Sequence, residues 1–319
     1  MWRYLKRVLI GKPLKTLDEG QAHLTKFKAL ALLSSDALSS VAYGTEQITA
    51  VLVTLSAAAI WYSLPIAAVV LILLLAITLS YRQIIKAYPS GGGAYVVATK
   101  NWGSNGGLIA GGSLLVDYML TVAVSTTSGT EAITSAIPGL YKYSVAISVI
   151  IVFLIMFLNL RGMSESANFL TIPVYFFVVM ISVMIIWGFY NIITGHVAYH
   201  ATADFGQPVA GISMVLLIRA FSAGSASLTG VEAISNAVPN FNEPKEKNAA
   251  NTLAIMSLIL AAFFAGITFM SFYFGIIPTP RANKPLNSAL CGWGFRSVHS
   301  FPIRDDYSLV PGTGRNLVR

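Results

Sequence analysis

An all-α transmembrane fold is predicted by three features of this sequence. Only 11% of its 319 residues are charged while 55% are hydrophobic, against roughly 25% charged in an average soluble domain. Seven segments are long and apolar enough to cross a bilayer, whose hydrocarbon core takes roughly 20 residues of helix. The first and sixth of these carry Gly and hydroxyl runs in mid-span, which predict broken helices. The net charge of +8 does not point to nucleic acid, because Lys and Arg sit between the apolar segments, where they report topology.

The predicted spans are 27–59, 62–86, 106–135, 143–161, 166–194, 211–237 and 250–277. Their short connections suit one compact membrane domain over 27–277 and leave no room for a soluble one. Ahead of it lies a basic arm, residues 1–26, with Arg3, Lys6, Arg7, Lys12, Lys15 and Lys26, followed by Lys28. Arg82, Lys86 and Lys100 lie between spans two and three, Arg161 between four and five, and Lys245 and Lys247 between six and seven. The opposite side holds only Lys142. This asymmetry predicts a cytoplasmic N-terminus in a multi-pass plasma-membrane protein, with the lipid bilayer as its partner. Residues 278–319 break the pattern. They hold Arg281, Lys284, Arg296, Arg304, Arg315 and Arg319 without a spanning segment. Their composition predicts either a disordered polar tail or a stretch out of register with the upstream reading frame, in a truncated chain. Cys291 is the single cysteine, so there is no disulfide framework.

Charged groups within a membrane helix cost ~2.5–3.5 kcal/mol each on insertion scales, so each is a functional candidate. Here they are Asp36 and Glu46 on the first span, Asp117 and Glu131 on the third, and Glu232 on the sixth, with Arg219 the one internal base. The excess of carboxylates calls for protons or bound cations. On the first span, Ser34, Ser35, Ser39, Ser40 and Gly44 predict a break around Ser39 to Gly44, since Ser hydroxyls compete for backbone and Gly lowers helix stability. The sixth has a matching run from Ser222 to Glu232. Gly44-Thr45-Glu46-Gln47-Ile48 and Gly230-Val231-Glu232-Ala233-Ile234 share Gly-x-Glu-x-Ile. Five spans separate their starts, so the two cross in opposite directions, and interrupted segments at matching places in inverted halves mark a transporter site.

On the third span, Asp117, Thr121, Ser125 and Ser128 recur every three or four residues and share one face, from which Thr126 and Thr127 fall away. Helix packing accounts for the hydroxyls alone. Asp117 fits better in the lining of a polar cavity. A break between Asp36 and Tyr43 lets both reach one pocket of carboxylate, phenol and hydroxyl oxygens, hard donors suited to a group-1 cation, although an interfacial or packing tyrosine accounts equally for Tyr43 alone.

Tyr88-Pro89-Ser90-Gly91-Gly92-Gly93-Ala94-Tyr95, Thr229-Gly230-Val231-Glu232 and Val238-Pro239-Asn240-Phe241-Asn242-Glu243-Pro244-Lys245 give a chain that resembles the amino acid–polyamine–cation superfamily. The run Ser34 to Gly44 is similar to the KUP/KimA-type potassium–proton symporters within it. The resemblance covers about residues 20–277. It implies the LeuT-like inverted-repeat fold of five plus five helices, of which this chain supplies about seven, with the first and sixth broken. It also implies that a potassium site would fall on Asp36, Tyr43, Asp117, Thr121, Ser125 and Thr229, with Glu232 a candidate for proton coupling. Potassium and protons would be transported ions, with no cofactor. Amino-acid carriers of the superfamily usually present a Gly-x-Gly turn on the first helix, where bare amides hold a carboxylate. This chain has Ser39-Ser40-Val41-Ala42-Tyr43-Gly44 there, with Asp36 one turn earlier, which favours a small cation.

An amino acid permease of the same superfamily and a non-transporting membrane protein are the alternatives, and a homodimer remains open. No enzyme is expected, because the spans show no nucleophile–base or metal constellation. The Gly-rich run from Gly103 to Gly112 opens a membrane helix with no preceding strand, so it is not a nucleotide loop. Gly107 and Gly111 predict close helix packing. His196 and His200 are expected on a polar surface, and Lys245, Glu246 and Lys247 in a solvated loop.

Overall fold

The computed structural model describes residues 24–160, 163–196, 206 and 209–276. Most of the basic arm, Arg161, His200 and the tail with Cys291 lie outside the described residues. The described helices are α1 (Lys26–Leu33), α2 (Ser35–Val53), α3 (Ser63–Ala87), α4 (Gly93–Ala136), α5 (Ser144–Leu160), α6 (Met163–Ile193), α7 (Met214–Ser225), α8 (Ala233–Asn236) and α9 (Lys245–Tyr273). Short 3-10 turns cover Ala57–Tyr62, Pro138–Tyr143, Ala226–Leu228 and Val238–Asn240.

Among the described residues, five stretches are long and apolar enough to cross a membrane: Ala57–Ala87, Gly93–Ala136, Gly139–Leu160, Ala167–Ile193 and Lys245–Tyr273. The sequence predicts seven, and the two that do not run as continuous spans are the two expected to break. The first, 27–59, is interrupted at Ser34, where the backbone leaves the helical region (φ −106°, ψ 0°). The sixth, 211–237, runs as apolar helix over Met214–Leu228. It then turns extended at Thr229 (φ −60°, ψ 150°) and left-handed at Gly230 (φ +82°), before the short α8.

The first break therefore lies upstream of the expected Ser39 to Gly44, which is continuous helix within α2. The hydroxyls meant to weaken it are satisfied inside it. Ser39 Oγ donates to the Asp36 carbonyl (2.9 Å) and Ser40 Oγ to that of Ala37 (2.8 Å). Ser34 Oγ donates back to the Leu30 carbonyl and ends α1. Gly44 is helical too, and its missing side chain makes room for a neighbouring segment: a Cβ there would stand 2.5 Å from Ser227 Cβ.

Helix α4 begins earlier than the predicted 106 and contains a kink at Gly103 (φ 75°, ψ −172°). Residues on either side of it pack together, so that a Cβ on Gly107 would meet Thr99 Oγ1 and one on Gly111 would come 3.3 Å from Tyr95 Cδ2. The close packing expected of this Gly pair is thus within the kinked element. Lys245, Glu246 and Lys247 are not a loop but the first turn of α9, where Glu246 faces the favourable end of the helix dipole. The other end closes through Gly275 at φ +60°. There Ile276 N–H donates to the Ser271 carbonyl (3.0 Å) and Gly275 N–H to that of Phe272 (3.1 Å), which satisfies carbonyls left over by the last turn.

Helices α2, α3, α7 and α9 form the centre. Val41, Ile48 and Leu52 of α2 meet Val70 and Leu74 of α3, Ala220 of α7, and Leu253, Met256, Leu260, Phe264 and Ile267 of α9 in one buried cluster. Helices α4 to α6 form the flank. None of the residues of α5 is buried, and large apolar side chains such as Val145, Ile150, Ile172 and Ile186 face outward. A helix that is apolar all round belongs in a core or in lipid. The chain is accordingly a multi-pass membrane protein.

Candidate functional site

The α1–α2 break and the unwound stretch after α7 lie side by side. Asp36 sits in the first turn of α2, and Gly230 lies against it. A Cβ at Gly230 would come 2.8 Å from Asp36 Oδ2 and 3.1 Å from the Ala37 nitrogen, at a φ that L-residues rarely adopt. Glycine is needed there both for the backbone angle and for this approach. From α4, Ser125 Oγ donates to Asp36 Oδ1 at 3.3 Å. The Tyr43 phenol lies among the Ser125, Thr229 and Ser40 side chains. Asp36, Tyr43, Ser125 and Thr229 therefore converge, from three elements, on one neighbourhood.

Asp117, Thr121, Ser125 and Ser128 are all half-buried on a helix whose other residues are largely exposed, and Ser125 on their common face meets Asp36. Asp117 is close enough for its charge to reach Asp36 and Glu232. Thr121 lies between Asp117 and Ser125 on that face, with no hydrogen bond joining it to the cluster among the described residues. Thr126 points elsewhere, as expected. It is buried with Thr130 and Thr134 on a second stripe, where Thr130 Oγ1 and Ser148 Oγ of α5 lie 2.8 Å apart.

Glu232 stands just past the unwound turn. Its Oε1 is buried without a hydrogen-bond partner among the described residues, an arrangement that costs free energy unless the oxygen is satisfied. Its charge reaches Tyr81 of α3 and Tyr118 of α4. Asn236 Nδ2 donates to the Tyr118 hydroxyl (2.8 Å). The Gly91–Gly93 turn, with all three residues at positive φ, seats Asn236 on its other side: Gly92 N–H donates to the Asn236 carbonyl (3.4 Å). Of the remaining membrane carboxylates, Glu131 is exposed. Arg219 is exposed in the middle of α7, and His196 is exposed as expected.

Sequence reasoning missed Ser40 and Ser227 as partners, and Tyr81, Tyr118 and Asn236 as neighbours of Glu232. Ser40 Oγ bonds across to the Ser227 carbonyl at 3.0 Å, a pairing across 187 positions that no local pattern contains. For Tyr118, the usable signal was its place beside Asp117.

Oxygen donors gathered where two helices are interrupted, inside an all-helical membrane body, define a polytopic membrane protein with a polar centre. The chain belongs to the amino acid permease family, whose model matches residues 24–300. It is 59% identical over 313 residues to the potassium transporter KimA of Bacillus subtilis (strain 168), a match covering 97% of this chain and 51% of that protein. It is 27% identical over 221 residues to the low-affinity putrescine importer PlaP of Escherichia coli (strain K12), covering 67% of this chain and 48% of that protein. The chain spans about half the length of the curated relatives it matches.

Proposed function

We propose that the protein of which this chain forms the whole or a part is a secondary active transporter. It takes up potassium across the plasma membrane, coupled to protons, and is not an enzyme. The observation that carries this reading is the convergence of the Asp36 carboxylate, the Tyr43 phenol and the Ser125 and Thr229 hydroxyls beside the Gly230 turn. Carboxylate, phenol and hydroxyl oxygens replace the hydration shell of a hard monovalent cation, and unwound backbone supplies further carbonyls. Asp117 and Thr121 extend the same wall and complete the cation-binding set. The 59% identity to a protein named as a potassium transporter supports the same substrate.

Glu232 is the proton-coupling residue in this reading, supported by its buried, unpartnered oxygen near Asp36 and Asp117. The two interrupted segments would occupy equivalent places in inverted repeats of five helices, with the N-terminus cytoplasmic as the basic residues indicate. Direct potassium binding to the Asp36→Asn variant tests the site. Neutralising a charge in a desolvated ion contact costs about 2–5 kcal/mol, more than tenfold in affinity. Titration calorimetry showing potassium bound equally by wild type and variant would remove Asp36 from the site. The similarity to a putrescine importer supports an organic-cation substrate as the second reading. Putrescine displacing potassium at comparable concentration would favour it.

A further inference from the structure

We infer that Gly44 is a positioning residue that sets the width of the cation site, and hence its preference for potassium over larger monovalent cations. This rests on the site proposed above. Gly44 follows Tyr43 on α2, while Ser227 stands two residues before Thr229 on the facing segment. These two positions are in tight approach: a Cβ on Gly44 would lie 2.5 Å from Ser227 Cβ and 3.2 Å from its Oγ, with Phe264 Cε2 at 3.5 Å. One turn earlier on the same face, Ser40 Oγ is bonded to the Ser227 carbonyl at 3.0 Å. One turn later, Ile48 closes the seam against Gly224, where an added Cβ would stand 2.5 Å from Ile48 Cδ1.

Backbones come this near only where side chains are absent or small. The contact is held by a hydrogen bond on one side and core packing on the other, so Ser227 does not yield by a side-chain rotation and its turn moves as a unit. A methyl group on Gly44 pushes the 226–228 turn outward, and Thr229 and Gly230 move with it, away from Tyr43 and Asp36. The oxygen cage widens. Ion preference in such a cage depends on its size and on the number of oxygens that reach the ion, so a wider cage loses potassium more than it loses caesium.

The test measures rubidium uptake by the whole protein in proteoliposomes, competed by potassium or by caesium. In the Gly44→Ala variant, potassium should lose its advantage over caesium by about tenfold, the scale at which one methylene changes discrimination in a pocket. Adding Ser227→Gly, which removes the opposing Cβ, should restore the wild-type ratio, a rescue that a purely structural lesion would not show. If Gly44→Ala does not fold, Ser40→Ala removes the tether without adding bulk and should shift the ratio in the same direction. An unchanged ratio in a folded variant, or a shifted ratio that Ser227→Gly leaves shifted, overturns the inference. Asp36→Asn separates its failure from that of the site. If Asp36→Asn abolishes uptake while the Gly44 ratio stays fixed, the site stands and Gly44 is excluded. Full uptake by Asp36→Asn overturns both.

Discussion

Asp36 and Ser125 meet at 3.3 Å although 89 positions separate them, and each was recognisable from sequence for its own reason. A carboxylate is costly in a membrane helix, and Ser125 falls in register with Asp117 and Thr121 on one helical face. The resemblance grouped them in one site, but no pattern within the chain shows the contact itself, because it depends on how α2 and α4 pack. The same holds for Glu232, which stood out as a charge within a span but whose neighbours Tyr81 and Tyr118 come from two other helices. Asp117 gives the residue-scale prediction. Asp117→Asn keeps the shape of the wall and removes a charge that reaches Asp36 and Glu232. Rubidium uptake should fall to background in this variant, and uptake at the wild-type rate would exclude Asp117 from ion binding.

Among the elements, α2 and α4 show where local reasoning stops. Gly44 and the flanking serines read as helix breakers. They lie instead in regular helix, because the hydroxyls bond to carbonyls three residues back and Gly44 is a contact point for Ser227. The real interruption at Ser34 has no stronger signature in the chain than its neighbours do. The unwound stretch after α7 was legible from the Gly and hydroxyl run Ser222 to Glu232, and there, unlike at Gly44, the glycine Gly230 does adopt a left-handed angle. Gly103 is of the same kind: its φ of 75° and ψ of −172° belong to a region essentially reserved for glycine. Nothing lies within 4 Å of a Cβ built there, so a substitution acts through the backbone alone. Gly103→Ala should destabilise the protein by about 1–3 kcal/mol, read as a lowered thermal unfolding midpoint in detergent. An unchanged midpoint would show that the kink is not held in this geometry.

At the scale of the whole molecule, apolar composition and segment length were enough to predict the helical membrane body, because lipid allows few other solutions for the backbone. They did not predict which helices would be central. Helix α9 buries residues from Ala249 to Phe272 along one side while α5 buries none, although both are strongly apolar; in lipid, apolarity no longer distinguishes inside from outside. Polar contacts carry that information instead, as where Thr45 and Thr268 hydroxyls lie 3.0 Å apart between α2 and α9, and Thr78 donates to Ser257 at 2.8 Å between α3 and α9. In the function proposed above, the polar centre of this body carries potassium with protons. Rubidium uptake into proteoliposomes containing the whole protein, with and without an inward proton gradient, tests it most directly. Uptake should accumulate against the rubidium gradient when protons flow inward and collapse when a protonophore dissipates that flow. Uptake that is indifferent to the proton gradient would contradict the coupling through Glu232, and no rubidium uptake at all would contradict the claim itself.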